Sequence, residues 1–299
     1  MSYWARRAVI LLVAAAGVSS AQAQDFSTVV TARLITNYAY AEAPVWSRDA
    51  FFIWADVPES KMWKWAPGGQ PTVFRDNTNK VIGAAYDVKG DLYLCESATG
   101  RLTRVSAKSG LIEVVASAWQ GKRLNSPNSV VVRKDGHAYF TDPAFGSADA
   151  KRELDFYGVF HVDPENKVQP LSVVAKPKGR PNGIALSPDG RKLYVANSDE
   201  HALYAYDLSN KGEASNERVL ISKIPGIPGG VATDERGNIY LAARGVRIYS
   251  PDGKLLHTIE LTEQPSDIVF GGAEMNTLLI TAGSAVYAAE MPVKGWTAY

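Results

Sequence analysis

Pro181-Asn182-Gly183-Ile184-Ala185-Leu186-Ser187-Pro188-Asp189-Gly190-Arg191-Lys192-Leu193-Tyr194-Val195 sets two short apolar runs on either side of a Ser-Pro-Asp-Gly turn. A helix would place apolar residues three and four apart and would carry these glycines and prolines only at a cost. The stretch therefore reads as a β-hairpin. The same pattern recurs along the chain, in units that begin at Glu42, Gly83, Asn128, Asn182, Gly229 and Asp267, 38 to 54 residues apart. Each unit passes through a polar turn, such as Lys89-Gly90, Lys134-Asp135-Gly136 or Asp234-Glu235-Arg236-Gly237. Each then enters a second apolar run, such as Leu92-Tyr93-Leu94, Ile239-Tyr240-Leu241 or Leu278-Leu279-Ile280.

The intervals are long enough for four strands, and Met62-Trp63-Lys64-Trp65 with Thr72-Val73-Phe74 completes the first unit. Radial repetition of such sheets predicts an all-β, six-bladed β-propeller. A β-sandwich would not need matching turn signatures at this spacing. Few residues follow Glu290, so the propeller is expected to be closed by an N-terminal strand around residues 29–35, paired beside Val286-Tyr287-Ala288 and hiding two open edges. The polar stretch from Ala144 to Phe156 reads as an insertion over one face.

Arg6 and Arg7, the apolar run Ala8–Val18 and Ala21-Gln22-Ala23 follow the order of a secretory signal peptide over residues 1–23. The run is too short to span a bilayer comfortably, so no stable membrane insertion is expected. Cleavage after Ala23 would take 23 of the 299 residues and leave a single domain over 24–299. It would also remove two arginines and no acid, turning a formal charge of +1 into −1. This near-neutral balance gives no electrostatic case for nucleic acid. Export points to the bacterial periplasm or to secretion. The lone Cys95 excludes an intramolecular disulfide and reads as a small buried hydrophobe. His137, His161, His201 and His257 show no zinc-pair spacing and read as surface or turn residues.

In a propeller, the residues that open the innermost strands face one another around the central channel. Glu42, Gly83, Asn128, Asn182, Gly229 and Asp267 would form that ring, bringing two carboxylates and two amides together. Oxygen donors without cysteine or histidine describe a hard-cation site. Calcium is the first choice, with magnesium, manganese or zinc as alternatives.

Glu42-Ala43-Pro44-Val45-Trp46, Pro127-Asn128-Ser129, Arg180-Pro181-Asn182-Gly183 through Leu193-Tyr194-Val195, and Phe270-Gly271-Gly272 resemble ordered motifs of the SMP-30/gluconolactonase/LRE-like propeller family. Ala43 stands where that family has glycine. The resemblance implies a metal-dependent hydrolase that opens a small lactone or sugar-derived ester. Glu42 and Asn182 would be direct metal ligands, and Asn128 a ligand or substrate-orienting amide. The family's metal-binding aspartate is replaced by Gly229 in Pro228-Gly229-Gly230. Asp267 is expected to compensate as ligand and general base, and an aspartate restored at position 229 is expected to raise turnover. The alternative is a non-catalytic metabolite-binding or regulatory propeller; a protein-interaction scaffold is the third class. Substrate hydroxyls could meet Arg180 or the insertion's Asp149, Lys151 and Arg152. A propeller satisfies its strand edges by itself, so a monomer is expected in preference to a weak dimer.

Overall fold

The alternation of apolar runs and glycine turns produces antiparallel four-stranded sheets arranged as six blades. The computed structural model describes residues 25–26, 29, 33–165 and 171–298; the expected signal peptide lies outside them. The first four blades run outward from the channel in chain order. The first comprises Ala41–Ser47, Phe51–Asp56, Lys61–Trp65 and Thr72–Arg75. The innermost strands of the next four are Val81–Tyr86, Val130–Val132, Pro181–Leu186 and Val231–Asp234, and the sixth begins with Asp267–Gly271. All six units predicted from the repeat are thus blades.

The N-terminal strand Arg33–Asn37 pairs antiparallel with Ala285–Glu290, setting Arg33 opposite Ala288 and Leu34 opposite Tyr287. It supplies the outermost strand of the sixth blade. The expected closure by an N-terminal strand is corrected on one point: no sheet among the described residues is closed on itself by hydrogen bonds. The blades remain separate open sheets, and side-chain packing completes the ring. One apolar cluster fills each of the six interfaces between neighbouring blades. At the closing interface Trp46, Phe52 and Trp54 of the first blade pack on Leu279, Val286 and Ala288 of the sixth. Burial of such side chains contributes roughly 1.5–3 kcal/mol each, which explains how the ring holds without a continuous ladder.

In the first and third blades an aspartate closes the second strand and pins the segment that enters the channel. Asp56 accepts hydrogen bonds from the backbone N–H groups of Ala39 and Tyr40 (3.3 and 3.2 Å). Asp142 does the same for Asn125 and Ser126 (2.8 and 2.6 Å). After the sixth blade the described chain returns to the channel. Gly295–Trp296 adds a fifth strand on the channel side of Val231–Asp234, with Trp296 opposite Thr233.

Two side-chain expectations change. Cys95 is fully buried, as expected, and burial pushes its thiol pKa up. His137 and His161, however, are buried rather than superficial and meet through Nδ1 and Nε2 at 2.9 Å. His137 lies in the turn before the strand Ala138–Asp142 and His161 within the next strand, Gly158–Val162, too far apart in sequence for a local turn reading to find.

Candidate active site at the channel mouth

Four of the ring residues follow a proline: Pro127-Asn128, Pro181-Asn182, Pro228-Gly229 and Pro265-Ser266. Proline fixes the approach to each inner strand, and the residue after it turns to the channel mouth. Asn128, Gly229 and Ser266 each donate their backbone N–H to the same kind of acceptor, the carbonyls of Thr141, Ala242 and Thr281, all at 2.8 Å. With Glu42, Ile82 and Asn182 these residues line a cavity of about 610 Å³. The mouth therefore carries Ile82 and Ser266 where Gly83 and Asp267 were expected, a difference of one residue in two blades. The proline phasing was the signal that would have found Ser266.

Glu42 sits just before a bulge in the first inner strand, between its pairing with Ala55 and that of Val45 with Ile53. The bulge holds Ala43 at a φ of 53°, a conformation natural to glycine and strained for alanine. Tyr40, Ser266 and the Ala43 N–H hydrogen-bond the Glu42 carboxylate. Burial nevertheless pushes its pKa well up, and the charge of Asp267 pushes it further. The charge of Glu42 in turn raises the Tyr40 phenol.

Asp267 lies one residue past the mouth position. It lines a narrower compartment of about 110 Å³ below the mouth and is the only charged residue among the described ones doing so. Its Oδ1 accepts the Ile268 N–H at 2.8 Å and lies against Gly230, where a Cβ would overlap it. Burial raises its pKa to about 7. Both carboxylates keep some surface open to the hollow channel, but protein surrounds their oxygens closely enough for desolvation to dominate.

Asn182 spends its Nδ2 on Ser198 Oγ (3.0 Å) and the Pro228 carbonyl (3.2 Å), which leaves its Oδ1 as an oxygen donor for the cavity. Asn128 is 8% exposed, and its amide makes no hydrogen bond among the described residues. Gly229 contributes no side chain, and a Cβ there would overlap the carbonyl oxygen of Ser266. Arg180, a candidate for substrate hydroxyls, is held by Asp199 (2.6 Å) and stacks over Phe145.

No group of three or more His, Cys, Asp or Glu able to hold a metal ion occurs among the described residues. A cation here would rest on two carboxylates and two amide oxygens, a set that suits a hard ion. No lysine, arginine or histidine lines the mouth cavity among the described residues, so the paired acids have no protein counter-charge.

Residues 40–284 match the family model described as the SMP-30/gluconolactonase/LRE-like region. The chain belongs to this family. Among curated members, a gluconolactonase of Zymomonas mobilis subsp. mobilis is 29% identical over 292 residues, spanning 88% of this chain and 81% of that protein. A 6-deoxy-6-sulfogluconolactonase of Pseudomonas putida is 29% identical over 276 residues, spanning 85% and 88%. The structure of a gluconolactonase from Xanthomonas campestris superimposes with a TM-score of 0.80 at 30% identity, covering 87% of this chain and 90% of that one.

Proposed function

We propose that this propeller is a divalent-cation-dependent hydrolase that opens a small, sugar-derived lactone. The observation that carries the reading is the convergence of Glu42, Asn128 and Asn182 on one cavity, with the uncompensated carboxylate of Asp267 acting on Glu42 from just below. Named lactonases among the relatives supply the reaction class. Glu42 and the amide oxygens of Asn182 and Asn128 would hold the cation, calcium by preference, with Asp267 adjoining them.

When bound, such an ion supplies polarisation of the lactone carbonyl and compensation of the oxyanion. The chain's own residues do the rest. Oδ1 of Asp267 is engaged by Ile268, so Oδ2 is the oxygen left to take a proton from the attacking water. Returning that proton to the ring oxygen as the C–O bond breaks yields one hydroxy acid per lactone and water. An Asn128 amide not used in ligation orients the carbonyl or ring oxygen. The apolar walls beneath Asp267 limit competing water.

Gly229 favours a second reading, a metabolite-binding propeller without turnover, because the position has neither an acid nor room for a Cβ. A panel of small lactones, assayed after chelation and after return of calcium, magnesium, manganese or zinc, separates the two. Turnover lost on chelation and restored by a cation supports the hydrolase. Cation and sugar-acid binding without turnover supports the alternative. We further infer, from the order of residues 1–23, that the chain is exported and acts in the periplasm or outside the cell, as a monomer. No helix among the described residues is long and apolar enough to cross a membrane.

A further inference from the structure

Beside the mouth, between the second and third blades, lies a second cavity of about 310 Å³ that shares Ile82, Asn128 and Phe145 with the first. Its charged lining is entirely basic among the described residues: Lys80, Arg123 and Lys151. The mouth itself is acidic, with Glu42 and Glu263. The two adjoining cavities thus have charged residues of opposite type in their linings.

The basic cavity is built rather than incidental. Asn79 and Lys80 both have φ of 56°, strained for residues with side chains, and the strain is held by Ala98 N–H on the Asn79 carbonyl (3.1 Å) and Ser97 N–H and Oγ–H on the Lys80 carbonyl (3.2 and 2.7 Å). Arg123 donates from Nη2 to the Lys151 carbonyl at 2.9 Å and pairs with Glu153 at 3.6 Å, fastening the insertion over the cavity. Neither Lys80 nor Lys151 has a carboxylate within ion-pair distance among the described residues. Asn125, 2% exposed, lines the same cavity. Its Nδ2 is spent on the Asp142 and Phe156 carbonyls (3.1 and 3.0 Å), and its Oδ1 is buried without a partner.

We propose that this cavity is a subsite for a second, anionic group on the substrate, so that the preferred lactone is that of a sugar acid bearing a terminal phosphate, sulfonate or carboxylate. The proposal rests on the reading of the mouth as a lactone site. The anion lies over Lys80 and Lys151, and the ring carbonyl is thereby directed to Glu42, Asn128 and Asn182. Repulsion from Glu263 at the mouth disfavours the reversed pose.

The test compares kcat/KM for glucono-1,5-lactone with those of its 6-phospho, 6-deoxy-6-sulfo and 6-carboxylate counterparts. The wild type is expected to favour at least one anionic lactone by about 10-fold or more, and the three arms identify which anion. Salt should erode the preference, and a Lys80→Ala/Lys151→Ala double variant should bring it below about 3-fold. Equal kcat/KM for neutral and anionic lactones, or a preference untouched in the double variant, overturns the proposal. If no lactone is turned over, the hydrolase reading fails and calorimetry decides the subsite: 6-phosphogluconate binding about 10-fold tighter than gluconate upholds it, and equal affinity overturns it.

Discussion

The two ends of the central channel are lined by the same six inner strands yet differ in chemistry. At the mouth, the residues opening the strands present Glu42, Asn128, Asn182 and Ser266 to a wide cavity. Toward the other end the lining turns to Val45, Val130, Ile184 and Val231, and Trp296, Thr297 and Ala298 lie across the space. The contrast follows from strand geometry and from one late segment. Residues at or just before the start of an inner strand can be polar because they face the opening, whereas most of those after them pack on neighbouring blades. The Gly295–Trp296 strand then fills the channel from behind. Polar candidate ligands thus gather at one end of the channel, and Asp267 marks the boundary with the apolar compartment.

The sharpest way to break this contrast is at its boundary. Asp267→Asn is expected to lower lactone turnover by about 100-fold or more while leaving the fold intact; unchanged initial rates would remove Asp267 as the base. The same variant tests the electrostatics. The folded-state pKa of Asp267, about 7, exceeds its ordinary 3.8, so the cation-free folded chain retains a proton that the unfolded chain releases. Stability is therefore full below about pH 4 for this group and is lost as pH rises to 7. Asp142, also raised to about 7 by burial, acts in the same direction. In chelator the melting temperature should fall by about 5 °C between pH 5 and 7.5, by clearly less in Asp267→Asn, and a flat profile in the wild type would contradict the assignment.

Gly229→Asp addresses the mouth itself. The sequence expectation was a gain in turnover, but a Cβ at this position meets the Ser266 carbonyl oxygen. Loss of about 1–3 kcal/mol of stability, with no rise in turnover, is the expected result in denaturant melts and rate assays. At the far end, Gly295→Ala sets a methyl group against the Phe270 ring. It should lower stability by about 1–2 kcal/mol and cost turnover less than Asp267→Asn. A larger loss of turnover than of stability would show that the plug shapes the mouth.

Much of this was legible from residues. Turn glycines and paired apolar runs located every inner strand, and Glu42, Asn128 and Asn182 were found because their blades repeat the same phase. The sixth blade was misplaced by one residue because its acid was aligned in place of the residue after Pro265. The tail was missed for a different reason: a two-residue strand has no periodicity to detect, and its partner lies some sixty residues away. The His137–His161 contact joins a turn to a separate strand, so no local pattern announces it. The basic cavity likewise gathers Lys80, Arg123 and Lys151 from three separate loops.

Calcium titration calorimetry on the wild type and Glu42→Gln tests the central claim most directly, because it reads the uncompensated carboxylates without requiring a substrate. One calcium ion per wild-type chain, with affinity reduced about 100-fold in Glu42→Gln, is the result predicted by a cation site at the mouth. Binding of equal strength in both proteins, or no binding of calcium, magnesium, manganese or zinc by the wild type, would contradict it.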